Sequence, residues 1–519
     1  MNARMLWHLG RADFLERVRR YGFLVTLAAT VWLGWLVGAG KLELWIGTVR
    51  GVYNSAWIAT TMSLVINTFL SLAGFYLVKN AVERDRHTGV GQILATTRMS
   101  KPLYTLGKTL SNLAVLGSML GVLVLSSMVI QLVVGEDRQI QLLELIQPFL
   151  FLSLPMLALV AACAVLFETI PGLRGGFGNI VWFIVWVASI PAGAELRGFF
   201  DPIGLGFVND ELMKAAALAH GPAKRGFILG GIDHDSPTQI MHWNGLDWTS
   251  EALVQRLFWI GLATVVALLA ALFFDRFDTS RSSWRRRKAP ATGQVEEAIP
   301  AYVPMPDVHL TPLSEASRRF RFFGVLRAEL KLLLKGRPWW WWAGAAGFVI
   351  ATLAVELNAV RQIVLPLAWL WPMLLWSGLG AREIRFDTGA LLFSAARPLG
   401  RQLPATWLAG VTLAALIGAG GAVRFLLAGE LESLGAWAVA VLFIPTLALA
   451  LGIWSGSSKL FEVIYLLLWY IGPMNQVPTM DYAGATAKGL ESGMPLVYLG
   501  VTAALLGAAV VGRRRQLAG

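Results

Sequence analysis

Two polar stretches of this 519-residue chain carry acids and bases in the same order. One is Glu83-Arg84-Asp85-Arg86-His87-Thr88-Gly89, continuing through Arg98 to Lys101. The other is Glu383-Ile384-Arg385-Phe386-Asp387-Thr388-Gly389, continuing through Arg397 to Arg401. Each lies between long apolar segments, which alone cannot bind a soluble partner, so their chemistry is that of a docking surface. Bond-making chemistry finds less support. Leu106-Gly107-Lys108-Thr109 ends like a phosphate-binding loop, but Pro102 stands where the upstream glycine belongs, and an apolar segment follows. Gly89-Val90-Gly91 lacks the third glycine of a dinucleotide fold. His220, His234 and His242 lie near Asp233 and Asp235 in one loop, a set able to hold a metal ion but without diagnostic spacing. Cys163 is the lone cysteine, which leaves no disulfide within one chain. The chain is therefore expected not to be an enzyme by itself, with no metal or cofactor site of its own.

The elements that must position these stretches are membrane helices. The sequence is 56% hydrophobic and 15% charged, with a mean hydropathy of +0.60. Runs of about 20 apolar residues, enough to cross a ~30 Å hydrocarbon core as helix, recur throughout. They predict spans near 21–39, 56–78, 103–134, 147–169, 178–193 and 252–274, then 339–358, 362–380, 403–427, 434–454, 460–473 and 495–512. The 178–193 and 460–473 runs are short for a crossing. The runs lack β-barrel alternation, so the expected class is an all-α polytopic membrane protein with about twelve spans. Arg11, Arg17 and Arg19 before the first span, Arg84, Arg86 and Arg98 after the second, Arg285 to Arg287 after the sixth and Arg513 to Arg515 after the last all fall on one side. The positive-inside rule makes that side, and both termini, cytoplasmic. The net charge of +12 then reflects topology and contact with the lipid bilayer, not nucleic-acid binding.

The chain divides at a basic, Pro-rich stretch, 275–320, into halves 1–274 and 321–519, with an outer loop at 194–251 in the first. Three echoes recur in the same order. Arg11-Ala12-Asp13-Phe14 matches Arg327-Ala328-Glu329-Leu330, the two polar loops match, and Leu154-Pro155-Met156-Leu157 matches Ile444-Pro445-Thr446-Leu447. They imply two parallel six-helix repeats. Phe14, Leu15 and Val18 against Asp13, Glu16 and Arg17 predict an amphipathic helix at the membrane interface, as do Phe323, Leu326, Leu330 and Leu333 downstream. Trp339 to Trp342 suits an aromatic belt. Ionisable residues are scarce at mid-span, where ion-coupled carriers commonly place them, which argues for energy delivered from outside the membrane domain. Asn67 is the most central polar residue, able to line a pathway or to bond another helix.

These features together resemble ABC-2-type ABC exporter permeases. Glu83, Thr88-Gly89, Leu94, Arg98, Ser100-Lys101 and Gly107-Lys108 carry the resemblance, with Glu383, Thr388-Gly389, Leu392, Arg397-Pro398 and Gly400-Arg401 downstream. The first loop lacks the proline beside Arg98, and the second lacks the Gly-Lys pair. The resemblance implies a bacterial cell-membrane permease with two halves fused in one chain and cytoplasmic coupling helices. It further implies contact with a separate ATPase subunit, as two copies or a heterodimer that holds ATP and Mg. The contact residues it implies are Glu83, Arg84, Asp85, Arg86, Thr88, Gly89, Arg98, Glu383, Arg385, Asp387, Thr388, Gly389 and Arg397. Glu168, Arg174 and Lys459 would join them from the loops at 168–179 and 452–462. The implied activity is export of an amphiphilic or hydrophobic small molecule, lipid or peptide. A major-facilitator-type carrier shares the halves and the linker, and a membrane scaffold or sensor would use the outer loop.

Overall fold

The computed structural model describes residues 2–19, 21–195, 198–221, 227–230, 239–277, 321–395 and 397–518. The chain forms two compact units, Met1–Ala291 and Thr292–Gly519. Most of the linker expected at 275–320, together with His234, Asp233 and Asp235, lies outside the described residues.

Among the described residues, eight helices are long and apolar enough to cross a membrane, and a ninth arises if one bent pair is counted as a span. They are Ser55–Arg86, Lys101–Val134, Leu142–Thr169, Gly176–Gly193, Ser250–Phe273, Pro398–Ala428, Leu431–Ser455 and Met494–Leu517. The bent pair is Gly10–Val18 with Phe23–Gly38, at 73°. The remaining expected spans are shorter. Trp339–Ala354 has 16 residues, about 24 Å of helix. The next apolar segment is cut by a π turn at Val360–Val364 and a break at Pro372. Ser458–Trp469 has 12 residues before a π turn that contains Pro473. Proline removes an amide donor and clashes with the preceding turn, which accounts for the breaks at Pro372 and Pro473.

Unit 1 contains α1 (Asn2–Val18), α2 (Tyr21–Gly38), β1 (Glu43–Ile46), β2 (Val49–Gly51) and α3 (Ser55–Val78). Two short helices follow, α4 (Ala81–His87) and α5 (Val90–Thr96), then α6 (Lys101–Val134). Next come α7 (Leu142–Pro148), a π turn and α8 (Leu154–Thr169), α9 (Gly176–Glu195), α10 (Leu205–His220), β3 (Phe227–Gly230), β4 (Gln239–Met241) and α11 (Ser250–Phe273). The helix α3 is the core, with 83% of its apolar window buried inside the protein. Asn54 starts it by accepting the Trp57 N–H at 2.9 Å, an N-cap for an otherwise unpaired donor. One departure from the all-α expectation stands at the start of α3: a four-stranded sheet in the order β3-β1-β2-β4. The β1 strand pairs antiparallel with β2 and β3, while β2 pairs parallel with β4. Strands of three or four residues leave no alternating run to detect. We call this the sheet end of unit 1, and the end of α3 that leads into α4 the loop end.

Unit 2 is held by tryptophans laid against a glycine-lined helix. Trp369 donates to Ala414 O at 3.1 Å, Trp376 to Gly410 O at 3.2 Å and Trp437 to Gly418 O at 2.9 Å. All three acceptors lie on Pro398–Ala428. A Cβ at Gly418 would sit 2.7 Å from the Trp437 indole nitrogen, so only glycine admits the ring. Small residues that allow such close approach are the usual means of packing helices where lipid supplies no hydrophobic drive.

Candidate functional site

At the loop end of unit 1, α4 begins without a side-chain cap of its own. Asn80 has φ of 114° and makes no capping bond. Glu168, arriving from the end of α8, takes over. Its Oε1 accepts the N–H groups of Asn80 at 2.6 Å and Ala81 at 2.9 Å, and its Oε2 those of Val82 at 2.6 Å and Glu83 at 3.0 Å. A carboxylate at the positive end of a helix satisfies four orphan donors at once. Lys79, just upstream, is anchored through Nζ to Asn179 Oδ1 at 2.7 Å and to the carbonyls of Leu173 and Gly175. The loops at 79–101 and 168–179 are thereby one assembly.

A buried ion cluster fixes the other face of α4. Arg84 donates to Asp13 Oδ1 at 2.7 Å and pairs with Glu16 at 3.1 Å. Lys108, fully buried, lies 2.7 Å from both Asp13 and Asp85. Asp85 also accepts the Tyr104 hydroxyl at 2.8 Å. Arg17 donates to Asn112. Helix α1 therefore turns Asp13 and Arg17 toward α6 and leaves Leu15 exposed together with Arg11, Glu16 and Arg19. Removing one member of such a cluster costs about 3–5 kcal/mol, because it strands the others.

The start of the linker closes the assembly, and the sequence pattern gave no sign of it. Asp275 pairs with Arg86 at 3.0 Å and with Arg174 at 3.2 Å, joining both loops. Arg276 donates to Thr97 O at 2.6 Å. Phe277 packs edge-on to Tyr104 at 5.6 Å and sits where a Cβ on Gly91 would come within 2.6 Å of its ring. Read as sequence, 275–277 is merely the first charged residues past a span.

In unit 2 the amphipathic helix Phe322–Leu334 is tied to the loop by Glu329, which accepts from Arg382 at 2.7 Å. Glu383 is buried, 3.4 Å from Arg513 and 3.4 Å from the Gln402 amide nitrogen. Both loops consist of two short helices with a left-handed residue between them. In unit 1 that residue is Gly89, with φ of 76°; in unit 2 it is Asp387, with φ of 50°, ahead of Gly389–Phe393. Glycine accepts this conformation without strain, whereas an aspartate there is uncommon.

The expected contact residues thus separate into two sets. Arg84, Asp85, Glu168 and Glu383 are internal, with Asp85 at 4%, Glu168 at 2% and Glu383 at 3% exposure. Their charges are turned to partners inside the unit and not to the surface. Arg86 and Arg174 are part-buried on Asp275. Lys459 is half-buried. Thr88, Arg98, Arg385, Asp387, Thr388 and Arg397 are exposed, and Gly89 and Gly389 mark the turns beside them. Sequence reasoning passed over the apolar neighbours of this set. Ile93 is 67%, Phe386 66% and Leu391 79% exposed, at the tips of the two loops. Asn67 is buried, and its Nδ2 donates at 3.2 Å to Ile203 O, a carbonyl of the loop before α10 and not of another helix. Among the described residues, no group of three or more His, Cys, Asp or Glu is placed to hold a metal ion.

No family model matches the chain, and neither a curated protein nor a solved structure matches it.

Proposed function

We propose that the chain is the membrane permease of an ATP-driven exporter of the ABC-2 type, worked by a separate ATPase that docks on the two polar loops. The observation that carries this is a tie made twice. An acid on the amphipathic helix before the first span holds an arginine of the loop after the second, as Asp13–Arg84 in unit 1 and Glu329–Arg382 in unit 2. Asp13 and Glu329 are matched positions of the sequence echo, while the arginines differ by two positions in loop register. Pro155 and Pro445, matched in the third echo, both sit within spans. These pairs support two parallel repeats of six spans, with the shorter helices of unit 2 completing twelve.

Each loop then acts as a rigid handle. Its charged side is spent on the interfacial helix and the spans, and its tip offers Ile93 or Phe386 and Leu391 beside exposed arginines. Apolar anchors ringed by polar residues suit a protein contact. Closure of the ATPase subunits would push on these tips, and the ion cluster would pass the movement to α1 and α6 in unit 1. Purification from the native membrane tests this. An ATPase with a phosphate-binding loop should accompany the chain; transport that persists without one and collapses with the proton gradient would favour the secondary carrier.

A further inference from the structure

The amphipathic helix of unit 2, Phe322–Leu334, turns its only acid inward and its cations outward. Glu329 is buried and accepts from Arg382 at 2.7 Å, and Leu333, one turn on, is buried beside it. Residues four apart share a side of a helix, so Phe323, Arg327, Lys331 and Lys335 form a row on the other side. All four are exposed, Phe323 at 80%. The three cations of the row extend about 12 Å along the axis. Arg321 and Arg337, at the two ends of the segment, are exposed as well. Among the described residues none of these five cations forms an ion pair. The matched helix α1 is less one-sided: its Arg17 is buried and donates to Asn112, and an acid, Glu16, is exposed among its cations.

An unpaired row of cations calls for anions, and its surroundings say which. Gly336, with φ of 76°, turns the chain from this helix toward the apolar helix Trp339–Ala354. Trp339, Trp340 and Trp342 are exposed at its start. Tryptophan is enriched where hydrocarbon meets headgroup, so the run marks that boundary, four residues past the end of the cation row. Half-buried Leu330 and Leu334 flank the row on the side of Phe323. This apolar border can enter the boundary while the lysine and arginine side chains extend to the phosphates. A soluble acidic protein would account for the cations but not for the tryptophans beside them.

We propose that this helix binds the anionic phospholipid headgroups of the leaflet it borders, through Arg327, Lys331 and Lys335. The bound surface then steadies the loop of unit 2 through Glu329 and Arg382. Each basic residue at an anionic leaflet strengthens binding about fivefold. The proposal needs only that the chain spans a membrane and stands apart from any ATPase.

The test uses the full chain in nanodiscs of phosphatidylcholine, alone or mixed with phosphatidylglycerol, read by hydrogen–deuterium exchange. Exchange over 322–335 should be at least fivefold slower in the phosphatidylglycerol discs, and exchange over 382–393 about twofold slower. The change in α1 should be smaller. Replacing the row together, as Arg327→Gln, Lys331→Gln and Lys335→Gln, should erase the difference between the lipids. Comparison of the two lipids in the wild type keeps the proposal falsifiable if that variant fails to fold. Equal exchange over 322–335 in both lipids would overturn the proposal and leave the cations to an acidic protein partner. A difference that survives the triple variant, or that is as large in α1, would overturn the assignment to this row. A loop that does not respond would overturn the tie through Glu329.

Discussion

Replacing Glu168 with alanine should release α4 and α5 from the rest of unit 1. The carboxylate accepts four backbone N–H groups, at 2.6, 2.9, 2.6 and 3.0 Å, from the first residues of a helix that has no other cap. Bonds to a charged group contribute about 1.5–3 kcal/mol each, but four of them sharing two oxygens do not add. Loss of a buried charged partner sets a better scale, about 3–5 kcal/mol. Taking about 3 kcal/mol, the local opening equilibrium of the loop rises by roughly 150-fold. Glutamine keeps one acceptor oxygen and turns an NH2 toward two N–H donors, so roughly half the loss should remain. Hydrogen–deuterium exchange of the purified protein reads this directly, in peptides covering 79–97 against those covering α3. Protection of 79–97 that survives in Glu168→Ala would refute the assignment of Glu168 as the anchor of the loop.

Other consequences are open to measurement. Asp275→Asn removes two part-exposed ion pairs, worth about 1 kcal/mol together, and should speed exchange in residues 86–97 about fivefold while α3 is unaffected. A double-mutant cycle on Glu329 and Arg382, scored by thermal unfolding, should give a coupling of about 1–2 kcal/mol; a value within error of zero would remove the tie from the account. At the sheet end, the Arg50 guanidinium bonded to Glu136 at 2.6 and 3.0 Å holds that carboxyl below its ordinary value of 4.5. A lowered folded pKa stabilises above the unfolded value and fades as pH falls through the folded one. Glu136→Gln should therefore destabilise by under about 1 kcal/mol at pH 7, the pair being part-exposed, with the difference vanishing in acid below pH 4.5.

The loops, the amphipathic helices and most spans were legible because each has a local signature: charge order, helical periodicity or an apolar run of sufficient length. The ion cluster was not, since Asp13, Asp85 and Lys108 come from three segments, and nothing local distinguishes an acid that faces solvent from one that faces a lysine across the bundle. Glu168 shows the same limit. At the end of an apolar run it resembles an ordinary polar flank, and only the fold brings it to the start of α4. The shortened helices around Pro366, Pro372 and Pro473 were hidden by composition, because hydropathy counts a proline-broken run as if it were continuous. The strands of the sheet are three or four residues each, too short for alternation to register.

The central claim concerns the tips of the two loops, and ATP hydrolysis by the purified complex tests it most directly. Phe386→Asp with Leu391→Asp changes two side chains that are 66% and 79% exposed, so the fold should stand. Losing two apolar anchors, at about 1–2 kcal/mol each, should cut the bound ATPase and the hydrolysis it supports at least tenfold. A chain that carries no ATP-hydrolysing partner from its native membrane, or a variant complex that hydrolyses ATP at the wild-type rate, would contradict the account.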